Sequence, residues 1–401
     1  MTATRPLRVL TFSTLYPNAA SPGHGLFVEQ RLRQLLATEA VEARVLAPVP
    51  WFPSTHPRFG EYARAAAAPR VEERHGISIA HPRYLVLPKI GMWLTPLTLA
   101  LAAWPTLRRW RREGWEFDLI DAHYYYPDGV AAALLARWLG KPLVVTARGS
   151  DVNQIAGLAL PRRMIRWAAR VAAASVGVSA ALAERLRSLG IPGERVQVLR
   201  NGVDTTRFFP VPQAEARRRI GGPLQGPRLV TVGNLVPVKG HALLLEALSG
   251  LPGWHLDVVG RGPLEGALRA QVLALGLAER VRFVGAVAQE ELPWHFAAAD
   301  LSVLASEREG WPNVLLESMA CGTPVVAARV GGVPEIVRES CAGVMFEPRT
   351  AAALRDAIDL YFPQRPSPEE VRRHAAAFGW DETSRGQRLL FARILESCPH
   401  A

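Results

Sequence analysis

The sequence predicts an α/β protein made of two doubly wound parallel sheets, and three observations carry that expectation. Short apolar runs alternate with segments of helical period along the whole chain. Twelve such runs are too many for one comfortable open sheet. The series also restarts after a Pro-rich joint, Phe208-Phe-Pro-Val-Pro212, followed by Gly221-Gly-Pro-Leu-Gln-Gly-Pro227. In 401 residues this means two domains, each with its own core.

The first domain is expected over 1–208, with strands at 7–12, 43–49, 119–122, 143–147, 175–178 and 196–199. The second is expected over 209–380, with strands at 229–232, 255–259, 281–284, 301–305, 325–328 and 344–346. Strands separated by helices of ten or more residues form βαβ units, and doubly wound sheets bind ligands at the carboxyl ends of their strands. The expected site therefore lies in a central cleft that the two domains face.

The densest chemistry is Glu309-Gly-Trp-Pro-Asn-Val-Leu-Leu-Glu317, just after an apolar strand. Pro312 suits the first position of a helix, so Asn313, Val314 and Leu315 present free amides where the helix dipole is positive. That is an anion site with one carboxylate outside it and another one turn inside. The competing account is an amphipathic helix with two solvated glutamates. The strand at 229–232 leads into Gly233-Asn234 and then Lys239-Gly240. Three lysines stand beside 44 arginines, and Lys239 is the sole lysine after residue 141, which suits a compact charge on a phosphate oxygen. Gly260-Arg261-Gly262 is a weak dinucleotide fingerprint, because Glu265 stands where the third glycine belongs. It serves better as a close approach of backbone and Arg261 to a phosphate. Val284-Gly285 stands at the end of another strand, where the family resemblance set out below would place the base of a nucleotide.

In the first domain, Gly25 lets a ligand touch the backbone between strand one and the next helix. His123 ends a strand, where a cleft ligand and a satisfied structural histidine are the two alternatives. Arg148-Gly149-Ser150-Asp151 follows the next strand, either facing a ligand in the same cleft, which the resemblance set out below would make the acceptor side, or shaping its own loop as an Arg148–Asp151 ion pair. No Asp-x-Asp, His-x-x-x-His or Cys-x-x-Cys occurs, which disfavours a metal-dependent mechanism.

The net charge of +11 is uneven. Residues 1–208 hold 27 Lys+Arg against 15 Asp+Glu, and residues 209–401 hold 20 against 21. The basic half implies an anionic partner. No helix-turn-helix, zinc finger or RNA-binding signature accompanies the charge, so nucleic acid is not expected. Residues 90–107 carry no charge, hold Trp93 and Trp104, and precede Arg108-Arg109-Trp110-Arg111-Arg112. This suits a segment lying on an anionic membrane surface better than one crossing it; the alternative is ordinary core with a basic solvent face. Three cysteines without ligand spacing, and no export signal ahead of the first strand, favour a cytoplasmic protein.

Together these residues resemble the retaining GT-B glycosyltransferases of family 4. The resemblance rests on Glu309-x7-Glu317 with the following Gly322-Thr-Pro-Val-Val326, on Lys239-Gly240, and on Gly260-x-Gly262-Pro263. It extends to Asn201-Gly-Val-Asp204-x-x-x-Phe208 and to Phe378-Gly-Trp380. It implies a nucleoside-diphosphate-sugar donor and no cofactor. Lys239 and the helix at 313 would hold the diphosphate, Glu317 the ribose, Glu309 the sugar, and His123 the reacting sugar from the acceptor side. The basic half and the 90–112 segment favour a lipid-linked or other saccharide as acceptor, and the resemblance implies that 381–401 forms a helix crossing back to the first domain. Two departures stand out: Asn234 replaces a frequent arginine, and Arg148 replaces the histidine of many members. A same-fold nucleotide-sugar 2-epimerase and a non-catalytic nucleotide-sugar-binding protein are the alternatives.

Overall fold

The computed structural model describes residues 5–86, 91–221 and 225–397. The chain divides into two compact units, 1–200 with 381–401, and 201–380. The division falls eight residues earlier than the sequence suggested, because the segment after Arg200 is bonded into the second unit. Val203 donates to the carbonyl of Phe378, Arg372 donates to the carbonyls of Thr205 and Phe208, and the Phe208 ring packs near Phe296.

In the first unit the strands are β1 (Leu7–Phe12), β2 (Val41–Leu46), β3 (Val49–Pro50), β4 (Val71–Arg74), β5 (Ile77–Ala80), β6 (Arg83–Tyr84), β7 (Leu119–His123), β8 (Leu143–Ala147), β9 (Ala174–Gly177) and β10 (Val196–Val198). Eight of them form one sheet in the order β10-β9-β8-β7-β1-β2-β5-β4, and β3 pairs with β6. The second unit holds β11 (Arg228–Val232), β12 (His255–Val259), β13 (Val281–Gly285), β14 (Leu301–Leu304), β15 (Val325–Ala328) and β16 (Gly343–Phe346), ordered β13-β12-β11-β14-β15-β16. Strand order reverses between β1 and β7 in one sheet and between β11 and β14 in the other. These reversals are the switch points where such sheets take ligands.

The four strands the sequence did not predict, β3 to β6, are short; β3 pairs parallel with β6, and β2 with β5, across the helix Glu61–Ala67. Val71–Arg74 buries no residue, and it pairs antiparallel with β5, so this sheet is not wholly parallel. Leu119–His123, Leu143–Ala147, Leu301–Leu304 and Val325–Ala328 are buried along their whole length, as parallel strands covered on both faces are. The second unit has its main core around Leu229, Leu256, Leu301 and Val326, with a smaller cluster at Ala216, Ala297 and Ala298.

The segment proposed for the membrane folds as one helix, Gly91–Arg112, running through Pro96 and Pro105. Ile90 lies outside the described residues. One face packs inward through Leu99, Ala103, Leu107 and Trp110, while Met92, Trp93, Leu94, Leu97 and Leu101 are exposed. Among the described residues no helix is long and apolar enough to cross a membrane.

Candidate active site

In the second unit the switch point brings two loops together. The loop after β11 carries Gly233, Asn234 and Lys239; the loop after β14 carries Glu309. Backbone contacts lock them to each other. Glu307 N–H donates to the Val238 carbonyl at 2.8 Å, and Gly240 lies so close that a Cβ there would be 2.1 Å from the Ala305 oxygen. Gly240 has φ +69°, so it suits glycine on both counts. Gly331, from the loop after β15, backs Glu309 in the same way: a Cβ there would stand 1.9 Å from the Glu309 oxygen.

The result is an ion pair. Lys239 Nζ lies 2.7 Å from Glu309 Oε1, with side chains 26% and 10% exposed. The lysine stem passes over Gly233, 3.9 Å from where a Cβ would be. Lys239 closes a short 3-10 turn, Pro237–Lys239, ahead of the helix His241–Ser249 rather than opening that helix.

The helix after Glu309 is Asn313–Ala320. Of the three amides expected to be free at its start, two are already used. Pro312 has φ −80° and ψ 87°, close to an inverse γ-turn, so Asn313 N–H donates to the Trp311 carbonyl at 3.0 Å. Leu315 N–H donates to the Pro312 carbonyl at 3.0 Å. Val314 has no such backbone partner among the described residues. The Asn313 side chain is bridged by Asn201, whose amide nitrogen lies 3.3 Å from Asn313 Oδ1. One turn on, burial pushes the Glu317 carboxyl up to about 7, opposed by the charge of Arg207.

The glycines at 260 and 262 serve the fold more than a ligand. A Cβ at Gly260 would sit 1.9 Å from the Gly233 oxygen, and one at Gly262 would sit 2.4 Å from the Leu235 oxygen. Leu235 N–H also donates to the Arg261 carbonyl at 3.0 Å. The two loops are zipped together, which leaves the exposed Arg261 side chain as the part able to meet an anion. Its guanidinium lies over Gly285 (φ +84°), next to Val284, and Gly285 accepts a hydrogen bond from Gly260 at 2.8 Å.

In the first unit several expectations change. Gly25 is in the left-handed region, and a Cβ there would stand 2.3 Å from the Leu15 carbonyl carbon. Its space is taken by the chain itself. His123 has both ring nitrogens engaged: Nδ1 lies 2.6 Å from the donating Arg148 guanidinium, and Nε2 lies 3.3 Å from Asp121 Oδ2. Burial lowers its pKa to about 4, so it is the neutral Nε2–H tautomer, a satisfied histidine in this structure. Asp121 Oδ2 also accepts from Gln387, on the last helix Asp381–Ser397, and Gln387 accepts from the buried Arg31. Asp151 is wholly buried and accepts from the backbone amides of Tyr125, Arg148 and Gly149. It shapes the loop through these backbone bonds, where the sequence left an acceptor contact or an ion pair with Arg148 as the alternatives. Arg148 loses basicity to burial, to about 9, and packs over Phe27.

With this geometry in place, comparison with known proteins is informative. Residues 212–378 match the family described as glycosyl transferases group 1, and residues 30–207 match Glycosyltransferase Family 4. A D-inositol 3-phosphate glycosyltransferase from Geodermatophilus obscurus is 33% identical, with 79% of this chain and 75% of the relative aligned. The chain belongs to the group 1 glycosyltransferases. A GDP-mannose-dependent alpha-(1-6)-phosphatidylinositol monomannoside mannosyltransferase from Mycolicibacterium smegmatis is 34% identical over 73% of this chain and 81% of its own. Among solved structures, sucrose-phosphate synthase from Thermosynechococcus elongatus superposes with a TM-score of 0.79 at 21% identity, covering 98% of this chain and 100% of its own. Anabaena HepE in complex with UDP-glucose gives 0.71 at 22%, covering 97% and 99%. The fold of this glycosyltransferase is GT-B.

Sequence reasoning did not single out Gly331, Arg207, Asp121, Arg31 or Gln387 in this glycosyltransferase. Gly331 follows a strand within Val330-Gly-Gly-Val-Pro334, a strand-to-turn signal that was available. The others act across long sequence separations, with no local pattern.

Proposed function

We propose that this glycosyltransferase moves a sugar from a nucleoside-diphosphate donor with retention of configuration, and that the donor sits on the second unit. The observation that carries this reading is the Lys239–Glu309 pair at the β11/β14 switch point, beside the start of the helix that holds Glu317. An incoming diphosphate takes Lys239 as its counter-charge and frees Glu309 for sugar hydroxyls. Glu317, poised near neutrality, can donate to or accept from a ribose hydroxyl. Arg261 replaces the charge that Asn234 lacks, and Val284-Gly285 lies where a base would stack.

Catalysis is then mainly electrostatic: Lys239, Arg261 and the helix dipole stabilise charge as it develops on the leaving diphosphate. That arrangement needs no metal in the reaction, and a chelator should leave turnover within about twofold. HepE's complex with UDP-glucose supports the donor class. Hydrolysis assayed over a panel of UDP-, GDP- and ADP-sugars tests it; a protein that turns over none of them overturns the reading.

The acceptor we favour is a saccharide, lipid-linked, reached from the cytoplasmic face of an anionic membrane. The exposed apolar face of Gly91–Arg112, ending in four exposed arginines, supports the membrane. The phosphatidylinositol mannoside acceptor of the mycobacterial relative supports the lipid. In the first unit a cavity of about 290 Å³ beside β1, lined by Thr14, Asn18, His24, Tyr62 and Tyr84, offers the hydroxyl and aromatic surfaces that suit a polyol.

A further inference from the structure

We propose that Glu339, Cys341 and His374 form a binding site for a borderline-soft divalent cation of the zinc class. The three side chains come from two places in the second unit: the loop between the helix Val333–Ile336 and β16, and the helix Pro368–Ala376. Their ligand atoms all lie within 4.8 Å of one another. Cys341 Sγ is 3.6 Å from Glu339 Oε2, and His374 Nδ1 is 4.0 Å from the same oxygen. Ligand atoms around tetrahedral zinc, with bonds of about 2.0–2.3 Å, stand about 3.5 Å apart. Closing the triangle on an ion therefore requires shifts of about 1 Å, within reach of an exposed Glu339 side chain.

The histidine is what distinguishes this cluster from chance. Its side chain is 6% exposed, and Nε2 is 2.8 Å from the Ile336 carbonyl. That bond fixes the proton on Nε2 and turns the Nδ1 lone pair toward Cys341 and Glu339, as outer-shell carbonyls do for metal-bound histidines. At 4.0 Å from Glu339, Nδ1 has no hydrogen bond among the described residues. A largely buried imidazole, oriented through Nε2 and with Nδ1 facing a thiol and a carboxylate, suits a cation.

The surroundings hold the ligands in place. Tyr361 donates to the Ser340 carbonyl at 2.8 Å, Ala342 N–H donates to the Glu339 carbonyl at 3.0 Å, and the His374 ring packs against Phe378. A thiolate, an imidazole and one carboxylate select zinc or cobalt over magnesium or calcium. Binding releases the Cys341 thiol proton, so one thiolate and one carboxylate offset the ion's two charges, and water completes the coordination. The ion would clip the loop before β16 to the helix Pro368–Ala376. No motif spacing announces this, because His374 follows Cys341 by 33 residues.

Cobalt titration of the reduced full-length chain tests the site. The expected result is a thiolate-to-cobalt charge-transfer band at one equivalent, abolished by zinc, with zinc raising the melting temperature. Cys341→Ser should remove the band, Glu339→Gln should weaken zinc binding by more than about tenfold, and Cys321→Ser should change neither. The first two positions are at least partly exposed, so these variants should melt like the wild type without metal, which separates lost binding from lost fold. No band in the wild type, or a band that survives Cys341→Ser, overturns the proposal.

Discussion

Lys239 and Glu309 neutralise each other in the unliganded protein, so their contributions appear only when donor arrives. Lys239→Ala removes a charge-assisted contact of about 1.5–3 kcal/mol, and transfer should fall roughly 10–100-fold. Glu309→Gln keeps the volume but discards the charge, and it should cost far more activity than Glu279→Gln, an exposed position outside the site. Steady-state kinetics of the purified variants decide this; small, equal losses at 309 and 279 would remove Glu309 from the site.

Glu317 makes a different kind of prediction. Its folded pKa of about 7 stands above the ordinary 4.5, so between those values the native state binds more protons than the unfolded chain. Stability from this group therefore falls as pH rises through that window, and the full cost is present above pH 7. Glu317→Gln escapes the cost. The variant should match wild type near pH 4.5 and exceed it at pH 8 by on the order of 2 kcal/mol, read as melting temperature against pH. A gap that does not change with pH would contradict the burial of that carboxyl.

The loops at the β11/β14 switch point are rigid because glycines let their backbones touch, and the ion pair inherits its geometry from them. Gly240→Ala meets two obstacles: the left-handed conformation, about 1–2 kcal/mol, and a collision with the Ala305 carbonyl, about 1–3 kcal/mol more. Gly253→Ala is the matched control, with φ +76° and open space around it, so it should show the first cost alone. Denaturant unfolding should rank Gly240→Ala as clearly worse, and its transfer rate should drop as Lys239 is displaced. Equal stability losses would mean that the contact with Ala305 is not a constraint.

Across the molecule, positive charge gathers in the first half of the chain, together with a helix whose outer face is apolar. Basic residues near an anionic surface contribute about 1 kcal/mol each and act alongside apolar insertion by Trp93, Leu94 and Leu97. The protein should bind anionic vesicles more tightly than neutral ones, with binding weakened by salt. Replacing Arg108, Arg109, Arg111 and Arg112 with Gln should reduce sedimentation with vesicles and impair transfer to a lipid-linked acceptor more than hydrolysis of donor. A wild-type protein that stays in the supernatant at low salt would point to a soluble acceptor.

Periodicity and punctuation were enough to read two doubly wound sheets, because fully buried parallel strands such as Leu143–Ala147 and Val325–Ala328 are almost wholly apolar. The same local logic put Lys239 and Glu309 on the loops after two strands and Glu317 on the following helix, as the structure has them, since strand ends and helix starts are marked by glycine and proline. It could not locate β3 to β6, whose short and partly polar strands carry no such signal. Nor could it tell that Pro312 turns the chain tightly enough to use the Asn313 amide, or that Gly25, Gly260 and Gly262 make room for backbone rather than ligand. The role of His123 depended on Arg148 and Asp121, and Asp121 in turn on Gln387, 266 residues further on. Only the tertiary structure could decide those points, because hydrogen-bond satisfaction and burial depend on neighbours that the chain brings together from a distance.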